Sequence, residues 1–209
     1  MHKVYLPLFL LAFCFFGQVL HAQQGWKKDK VGDGIEIYTR AVPDTDFLEF
    51  KGVTVMDCNP ETIFNLVRDF PHIKNWGYKI ARAEVLEKVS AHEYFVYHEI
   101  DMPWPLDNRD MITHFRFTQN KRTGEARIIM QSIGDYIPLK DGIVRVTEAQ
   151  GSYKLNPTKN AETEVIYQYY AEPEGLPAWI VNLFITDSPF VTLQNMREEI
   201  KKTKYAVQP

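Results

Sequence analysis

Lysine and arginine number 24 against 27 aspartates and glutamates, so the 209-residue chain carries a formal net charge of −3 at pH 7. The two signs are interspersed along the sequence, which excludes the clustered basic surface of a nucleic-acid-binding protein. The length suits one domain that is large enough to bury a sizeable core.

The first 22 residues have the pattern of a secretory signal. Lys3 precedes an apolar run over residues 4–16, and Leu20 and Ala22 stand at the minus-three and minus-one positions of a cleavage site. A membrane anchor is the alternative, but the stretch 4–20 is shorter than the roughly 20 apolar residues of a span. A lipid attached at Cys14 is a further alternative. The sequence therefore predicts an exported protein, periplasmic or secreted, from which residues 1–22 are removed.

The remaining residues 23–209 are predicted to form one domain. Cys58 is the single cysteine left after cleavage, so this domain folds without an internal disulfide. It begins with two strand patterns, 35–39 and 48–55, which are rich in β-branched and aromatic residues. Asn59 is then a good N-cap for a helix that has Pro60 at its first position.

The rest of the chain indicates an antiparallel meander followed by helix. Strand patterns occur at roughly 79–88, 92–101, 109–119, 125–133, 142–155 and 163–172. A helical region follows from Pro177 to about Lys204, with a break predicted near 187–189, where Asp187 or Ser188 can cap a new helix. The predicted fold class is therefore α+β, with the apolar face of the sheet covered by the terminal helix.

The stretch 102–110, MPWPLDNRD, is a proline-stiffened loop whose Arg-Asp pair opens a strand. Flanking motifs occur in a fixed order: Trp26, GIEIY at 34–38, FKG at 50–52, NPE at 59–61, GIVRV at 142–146 and EGLPAWIVN at 174–182. This set resembles the START domains, the steroidogenic-acute-regulatory-related lipid-transfer family, and in particular an exported bacterial member. The resemblance runs from about Trp26 to about Tyr205. It implies the helix-grip fold, in which a curved antiparallel sheet wraps around a long C-terminal helix and encloses a hydrophobic tunnel.

The resemblance also implies which side chains line the tunnel. START domains often place an acidic residue where Glu99 stands, and Tyr97 shares its face of the strand. Sterol-binding members carry an arginine where this chain has Phe115, which puts sterol recognition in doubt. The predicted ligand-binding residues are Tyr97, Glu99, Thr113, Phe115, Phe117, Arg145, Tyr167 and Tyr169.

Arg145 lies in an otherwise apolar strand, so its guanidinium needs an anion. Glu99 and a ligand phosphate are both candidates, and a surface position on an edge strand is the alternative. Arg109 and Asp110 are expected to fix the loop to the start of the strand, with contact to a lipid head group as the alternative.

A gate is predicted from two apolar segments. The loop 134–142 carries Ile137, Pro138 and Leu139 at its tip, and the terminal helical region carries Trp179 and Phe184. The resemblance implies that the loop and the helix contact each other and part to admit the ligand. The alternative is that 137–139 simply close the core.

The predicted function is binding, and possible transfer, of one lipid or other hydrophobic molecule, with transient membrane contact by a monomer. Neither a metal nor a cofactor is expected, since the histidines lie in separate elements and no catalytic motif is complete. The alternative is a helix-grip enzyme, a cyclase or hydrolase acting on an apolar substrate, with Tyr97, His98 and Glu99 as acid-base candidates. A protein-binding module is a third reading.

Overall fold

The computed structural model describes residues 25–205, so the predicted signal at 1–22 lies outside the described residues. The strands are β1 Lys27–Gly32, β2 Ile35–Ala41, β3 Leu48–Met56, β4 Ile80–Ser90, β5 Glu93–Ile100, β6 Asn108–Gln119, β7 Ala126–Ser132, β8 Ile143–Arg145, β9 Glu148–Pro157 and β10 Thr163–Glu172. The helices are α1 Pro60–Arg68, α2 Ala178–Asn182 and α3 Asp187–Glu199, with short 3₁₀ helices at Phe70–Asn75 and Thr203–Tyr205.

The ten strands form one curved sheet in the order β1-β2-β3-β10-β9-β7-β6-β5-β4. Every neighbouring pair on this path is antiparallel, whereas β8 pairs in parallel with the start of β6. The sheet wraps around α3, which packs against β2 and β3. This architecture confirms the predicted helix-grip fold.

Two strand predictions were incomplete. β1 was missed, because its sequence KKDKVG is mostly polar and its residues are mostly exposed at the edge of the sheet. Asp33 and Gly34 both have positive φ, 49° and 69°, which is the geometry of the tight two-residue turns that join β1 to β2. The predicted strand 142–155 is two strands, because the chain leaves β6 after β8 and crosses to β7 as β9.

The helix grip depends on close packing at one glycine. A Cβ at Gly52 of β3 would stand 2.7 Å from Leu193 Cδ1 of α3, so the absence of a side chain lets the helix lie against the strand. Leu193 and Met196 are fully buried in the main core, together with Ile35 and Ile37 of β2. The sheet and the terminal helix therefore share one hydrophobic core.

α1 begins as predicted, with the Asn59 side chain accepting a hydrogen bond from the Thr62 backbone N–H at 2.9 Å. The residue that follows α1, Asp69, anchors the C-terminal end of the chain. Its carboxylate accepts hydrogen bonds from His72 Nδ1 at 2.6 Å, Lys204 Nζ at 2.7 Å and Tyr205 Oη at 2.9 Å. These four residues form the C-terminal anchor, in which Tyr205 is 2% exposed.

The other end of the helical region is less embedded. α2 has no buried residue, and residues 183–186 separate it from α3, so the predicted break lies just before Asp187. The Asn182 side chain holds α2 to the chain at the start of β3. It donates to the backbone carbonyl of Asp46 at 3.0 Å and accepts from the backbone N–H of Leu48 at 3.1 Å. Within 25–205, no helix is long and apolar enough to cross a membrane.

Candidate ligand-binding site

An internal cavity of about 220 Å³ lies between the inner face of the sheet and the helices. The sheet provides residues from β3 to β7 and from β9 and β10, and α1, the 3₁₀ helix Phe70–Asn75 and α3 close the opposite side. Four of the predicted ligand-binding residues line this cavity: Thr113, Phe115, Tyr167 and Tyr169. Their contact with a ligand remains a prediction.

Aromatic side chains form one wall. The rings of Tyr153 and Tyr167 stack at 4.3 Å, and Phe50 meets Tyr167 edge to face at 5.0 Å. The neighbouring Tyr169 occupies the space that Gly151 leaves on the adjacent strand, where a Cβ would collide with the tyrosine ring. Burial raises the pKa of all three tyrosine hydroxyls, so these groups stay neutral.

Three buried polar atoms on the cavity lining have no hydrogen-bond partner among residues 25–205: Trp76 Nε1, His98 Nε2 and Thr113 Oγ1. Buried polar groups are nearly always paired, so an unpaired cluster facing a cavity needs an explanation. Burial lowers the pKa of His98 to about 4, which keeps its imidazole neutral at physiological pH.

A larger and mostly apolar cavity of about 480 Å³ forms the mouth of the site. It shares Phe50, Tyr78, Ile100, Met111, Tyr169 and Ser188 with the inner cavity, so the two cavities adjoin. On one side lie Trp179 and Phe184 of the α2 region, and on the other lie Met102 and Leu106 of the loop 101–107.

The mouth exposes large apolar side chains. Trp179 is 66% exposed and Leu183 is 64% exposed, although both line the mouth. Trp104, at the tip of the loop 101–107, is 93% exposed. Two cations, Lys79 and Arg109, also line this cavity. Arg109 donates to the backbone carbonyls of Asp107, at 2.5 Å, and Glu174, at 3.1 Å.

Three residues that were predicted to line the tunnel, Tyr97, Glu99 and Arg145, lie instead on the outer face of the sheet. Arg145 does not pair with Glu99, because its guanidinium forms two hydrogen bonds with the Asp110 carboxylate, at 2.6 and 3.1 Å. Both side chains are almost fully buried, at 3% and 1% exposure. The predicted anion partner of Arg145 was therefore wrong, and the anion is the aspartate of the Arg-Asp motif.

Tyr97 and Glu99 also point away from the cavity, which corrects their predicted orientation. The Tyr97 ring lies beneath Lys140, whose Nζ is 3.6 Å from the ring centroid. Burial, together with the charges of Asp110 and Glu99, raises the pKa of Tyr97 to about 12. Since His98 faces the cavity and its two neighbours do not, the three acid-base candidates of the enzyme alternative do not meet at one site.

The loop 134–142 covers the outer face of β5, so side chains on that face are also shielded from solvent. Tyr136 stacks on Phe95 at 4.5 Å, and Phe95 stacks on His114 at 4.5 Å. An aromatic residue on β5 is thus buried on either face, and alternation alone does not show which face is the inner one. The predicted inner face of β5 was the wrong one, so His98 was named only as a candidate of the enzyme alternative and not among the ligand-binding residues. Trp76 gave no signal because it lies outside any strand.

The predicted gate segments do not line a common cavity. Ile137, Pro138 and Leu139 line a separate surface depression together with Arg145, and Arg145 donates to the carbonyls of Gly134, Ile137 and Pro138 at 3.0 to 3.4 Å. Trp179 and Phe184 instead face the loop 101–107 across the mouth. The predicted pairing of the helix with 137–139 was therefore wrong, because a buried guanidinium holds that loop to the sheet.

Phe117 is buried at 3% exposure but packs beneath α1, with its ring 5.3 Å from that of Phe64, and lines neither cavity.

Among residues 25–205, no group of three or more histidine, cysteine, aspartate or glutamate side chains is arranged to hold a metal ion. The site therefore offers apolar walls, neutral polar groups in the inner cavity and two cations at the mouth.

Comparison with known proteins agrees with this geometry. Residues 14–204 match the family model described as START domain. An uncharacterized protein of Pseudomonas aeruginosa is 32% identical over 201 residues, covering 94% of this chain and 98% of its own. The phosphatidylcholine transfer protein of Mus musculus is 26% identical over 166 residues, covering 75% of each chain.

Among solved structures, the STAR-related lipid transfer protein from Xanthomonas axonopodis, fragment 25–204, superposes with a TM-score of 0.80. It is 30% identical in sequence, and the match covers 85% of this chain and 99% of that one.

Proposed function

Since this chain belongs to the START domain family, we propose that it binds one lipid, or a similar long-chain hydrophobic molecule, and carries it between membranes. The observation that supports this most directly is that the apolar mouth and the inner cavity adjoin, so that together they define a passage into the protein. Removing apolar carbon from water contributes about 0.8 kcal/mol per methylene, so a chain of about ten carbons supplies enough to drive binding. The names of the mouse and Xanthomonas proteins, which refer to lipid transfer, favour the same function.

The inner cavity of about 220 Å³ is smaller than the roughly 300–1,000 Å³ of most small-molecule sites. A long-chain ligand would therefore extend from the inner cavity into the mouth, or widen the passage as it enters. α2 is the movable part of this rim in our proposal, because it has no buried residue whereas the C-terminal anchor holds the far end of the helical region.

The rim of the mouth is the proposed membrane contact. Trp104, Trp179 and Leu183 are all more than half exposed, and tryptophan is favoured at the boundary between lipid and water. A protein that docks only while loading would need such a small apolar surface and no membrane-spanning segment. We further propose that it acts as a monomer.

Export is part of the proposal for residues 1–22, whose charged start, apolar run and Leu20–Ala22 cleavage pattern are those of a signal peptide. We propose a bacterial protein that works in the periplasm or outside the cell. The mass of the mature protein purified from its own host would test this, and a chain that still begins at Met1 would contradict it.

The transfer of a fluorescent lipid between donor and acceptor vesicles tests the central proposal. Thr113→Trp fills the inner cavity, so we expect transfer to fall to the level without protein while the unfolding midpoint stays close to that of the parent. The matched control is Thr118→Trp, which makes the same change at an exposed position of β6. Equal transfer by the parent and Thr113→Trp would show that the cavity does not carry lipid.

A further inference from the structure

The inner end of the passage carries polar groups that nothing in the fold satisfies. Trp76 and His98 are 4% exposed and Thr113 is 2% exposed, yet Nε1, Nε2 and Oγ1 of these side chains have no partner. A buried polar atom without a hydrogen bond destabilises the folded state unless another group binds it. All three side chains line the same cavity.

These groups come from two opposite walls. His98 pairs with Met111, two residues before Thr113 on the same face of β6, so His98 and Thr113 are diagonal neighbours about 7–8 Å apart. Trp76 approaches from the end of the 3₁₀ helix Phe70–Asn75. The cavity therefore has unpaired polar groups both on the sheet and at the end of the 3₁₀ helix.

Their chemistry limits what that group can be. An indole N–H can only donate, a threonine hydroxyl can donate or accept, and a neutral imidazole offers one donor and one acceptor. A hydroxyl oxygen can accept from Trp76 and donate to His98 or Thr113. A carbonyl oxygen can accept from Trp76 and from either of the other two. The cluster thus fits an oxygen that accepts at least one hydrogen bond.

Charge limits it further. Among residues 25–205, no aspartate, glutamate, lysine or arginine lines the inner cavity, and burial keeps the hydroxyls of Tyr153, Tyr167 and Tyr169 there neutral. An ionised head group in this space would lose its hydration without gaining a counter-ion. The two cations near the passage, Lys79 and Arg109, lie at the mouth.

We propose that the inner cavity is a receptor for an uncharged oxygen, a hydroxyl or a carbonyl, so that the cargo is a neutral lipid that enters with this polar end first. This inference rests on the proposed function, because it names the class of lipid that the passage selects. It places the recognition of the cargo at Trp76, His98 and Thr113, and leaves the mouth to the hydrocarbon tail.

A matched series of hexadecyl compounds tests the proposal: hexadecanol, hexadecanone, hexadecane, hexadecanoate and hexadecylphosphocholine. Each is delivered from cyclodextrin to the purified full-length protein, and affinity is taken from the rise of the thermal unfolding midpoint with concentration. We expect hexadecanol or hexadecanone to bind about tenfold more tightly than hexadecane, and more tightly than either charged compound. The alcohol and the ketone together separate a hydroxyl ligand from a carbonyl ligand.

Thr113→Val removes one of the three polar groups at constant shape. We expect it to weaken binding of the preferred compound about five- to tenfold, to leave hexadecane unchanged, and to raise the midpoint of the lipid-free protein slightly. Thr118→Val, on the exposed face of the same strand, should change neither affinity. If Thr113→Val does not fold, Trp76→Phe removes a different polar atom of the cluster and should show the same selective loss.

The outcomes distinguish a failure of the proposed lipid binding from a failure of the oxygen receptor. If no compound of the series binds, the proposed lipid-binding function falls, and this inference falls with it. If hexadecane binds as tightly as the oxygenated compounds, lipid binding stands and the oxygen receptor is refuted. Tightest binding of hexadecylphosphocholine would also refute it, and would assign the aromatic wall to a quaternary ammonium group.

Discussion

The two faces of the β5–β6 pair differ in how their polar groups are satisfied. On the outer face, Asp110 and Arg145 form a buried ion pair, and Arg145 also donates to backbone carbonyls of the loop 134–142. On the inner face, His98 Nε2 and Thr113 Oγ1 have no partner. The outer face is thus a completed part of the fold, whereas the inner face leaves hydrogen bonds unmade where a ligand can enter. Both faces of β5 carry aromatic side chains, and this difference is what favours the inner face as the proposed ligand-binding side.

Breaking the outer ion pair should have the largest effect on stability. Asp110→Asn leaves the Arg145 guanidinium buried without a counter-ion, and removing one partner of such a pair typically costs about 3–5 kcal/mol. Urea denaturation of the lipid-free protein measures the change in the free energy of unfolding. The double variant with Arg145→Met should cost less than the sum of the two single changes. Additive losses would show that the two side chains do not interact.

Protonation of His98, on the inner face, should give the next largest change in the free energy of unfolding. Burial lowers the pKa of His98 from 6.5 to about 4, so the unfolded state takes up this proton at a higher pH than the folded state. The stability linked to His98 is therefore complete above about pH 6.5 and is lost as the pH falls towards 4. This shift corresponds to about 3 kcal/mol. We expect the parent to lose about that much more stability than His98→Gln between pH 7 and pH 4.

The control for this pH profile is His92→Gln, at an exposed position before β5, which should follow the parent profile. A parent and a His98→Gln variant with parallel profiles would mean that the imidazole is hydrated, and that it does not belong to a dry cavity wall.

Tyr97→Phe should have the smallest effect, and it sharpens the comparison between the faces. The Tyr97 hydroxyl makes one long contact, 3.5 Å to Glu99 Oε2, so its loss should cost no more than about 0.5–1 kcal/mol. Because this side chain lies on the outer face, uptake of a fluorescent lipid should equal that of the parent. A clear loss of uptake would return Tyr97 to the ligand site and overturn the assignment of the faces.

Much of the fold was accessible from the sequence, because strand alternation, the Asn59 cap and the motif at 102–110 are local signals. Strand alternation in β6 and the family resemblance predicted Thr113, Phe115, Tyr167 and Tyr169 as ligand-binding residues, and these four side chains line the inner cavity. β1 was not accessible, since an exposed edge strand needs little apolar content.

The errors at the site have a common physical origin in long-range contacts. Tyr97 and Glu99 were assigned inward because the family resemblance implies an acidic residue in the tunnel at this position. Alternation could not correct the assignment, because both faces of β5 carry large aromatic residues. Only the fold shows that Tyr136 and Lys140, about 40 residues further along the chain, cover one of these faces. In the same way, the partner of Arg145 was 35 residues away, on a strand that β8 joins in parallel.

The C-terminal anchor at Asp69 has a kinetic consequence. Leu193 and Met196 hold α3 in the core, and the chain is fastened beyond α3 at Tyr205, whereas α2 has no buried residue. α2 can therefore open locally without disturbing that core. Local opening of this kind needs far less free energy than global unfolding. If α2 is the movable rim that we propose, substitutions in α2 would change the rate of lipid exchange and would leave the free energy of global unfolding almost unchanged.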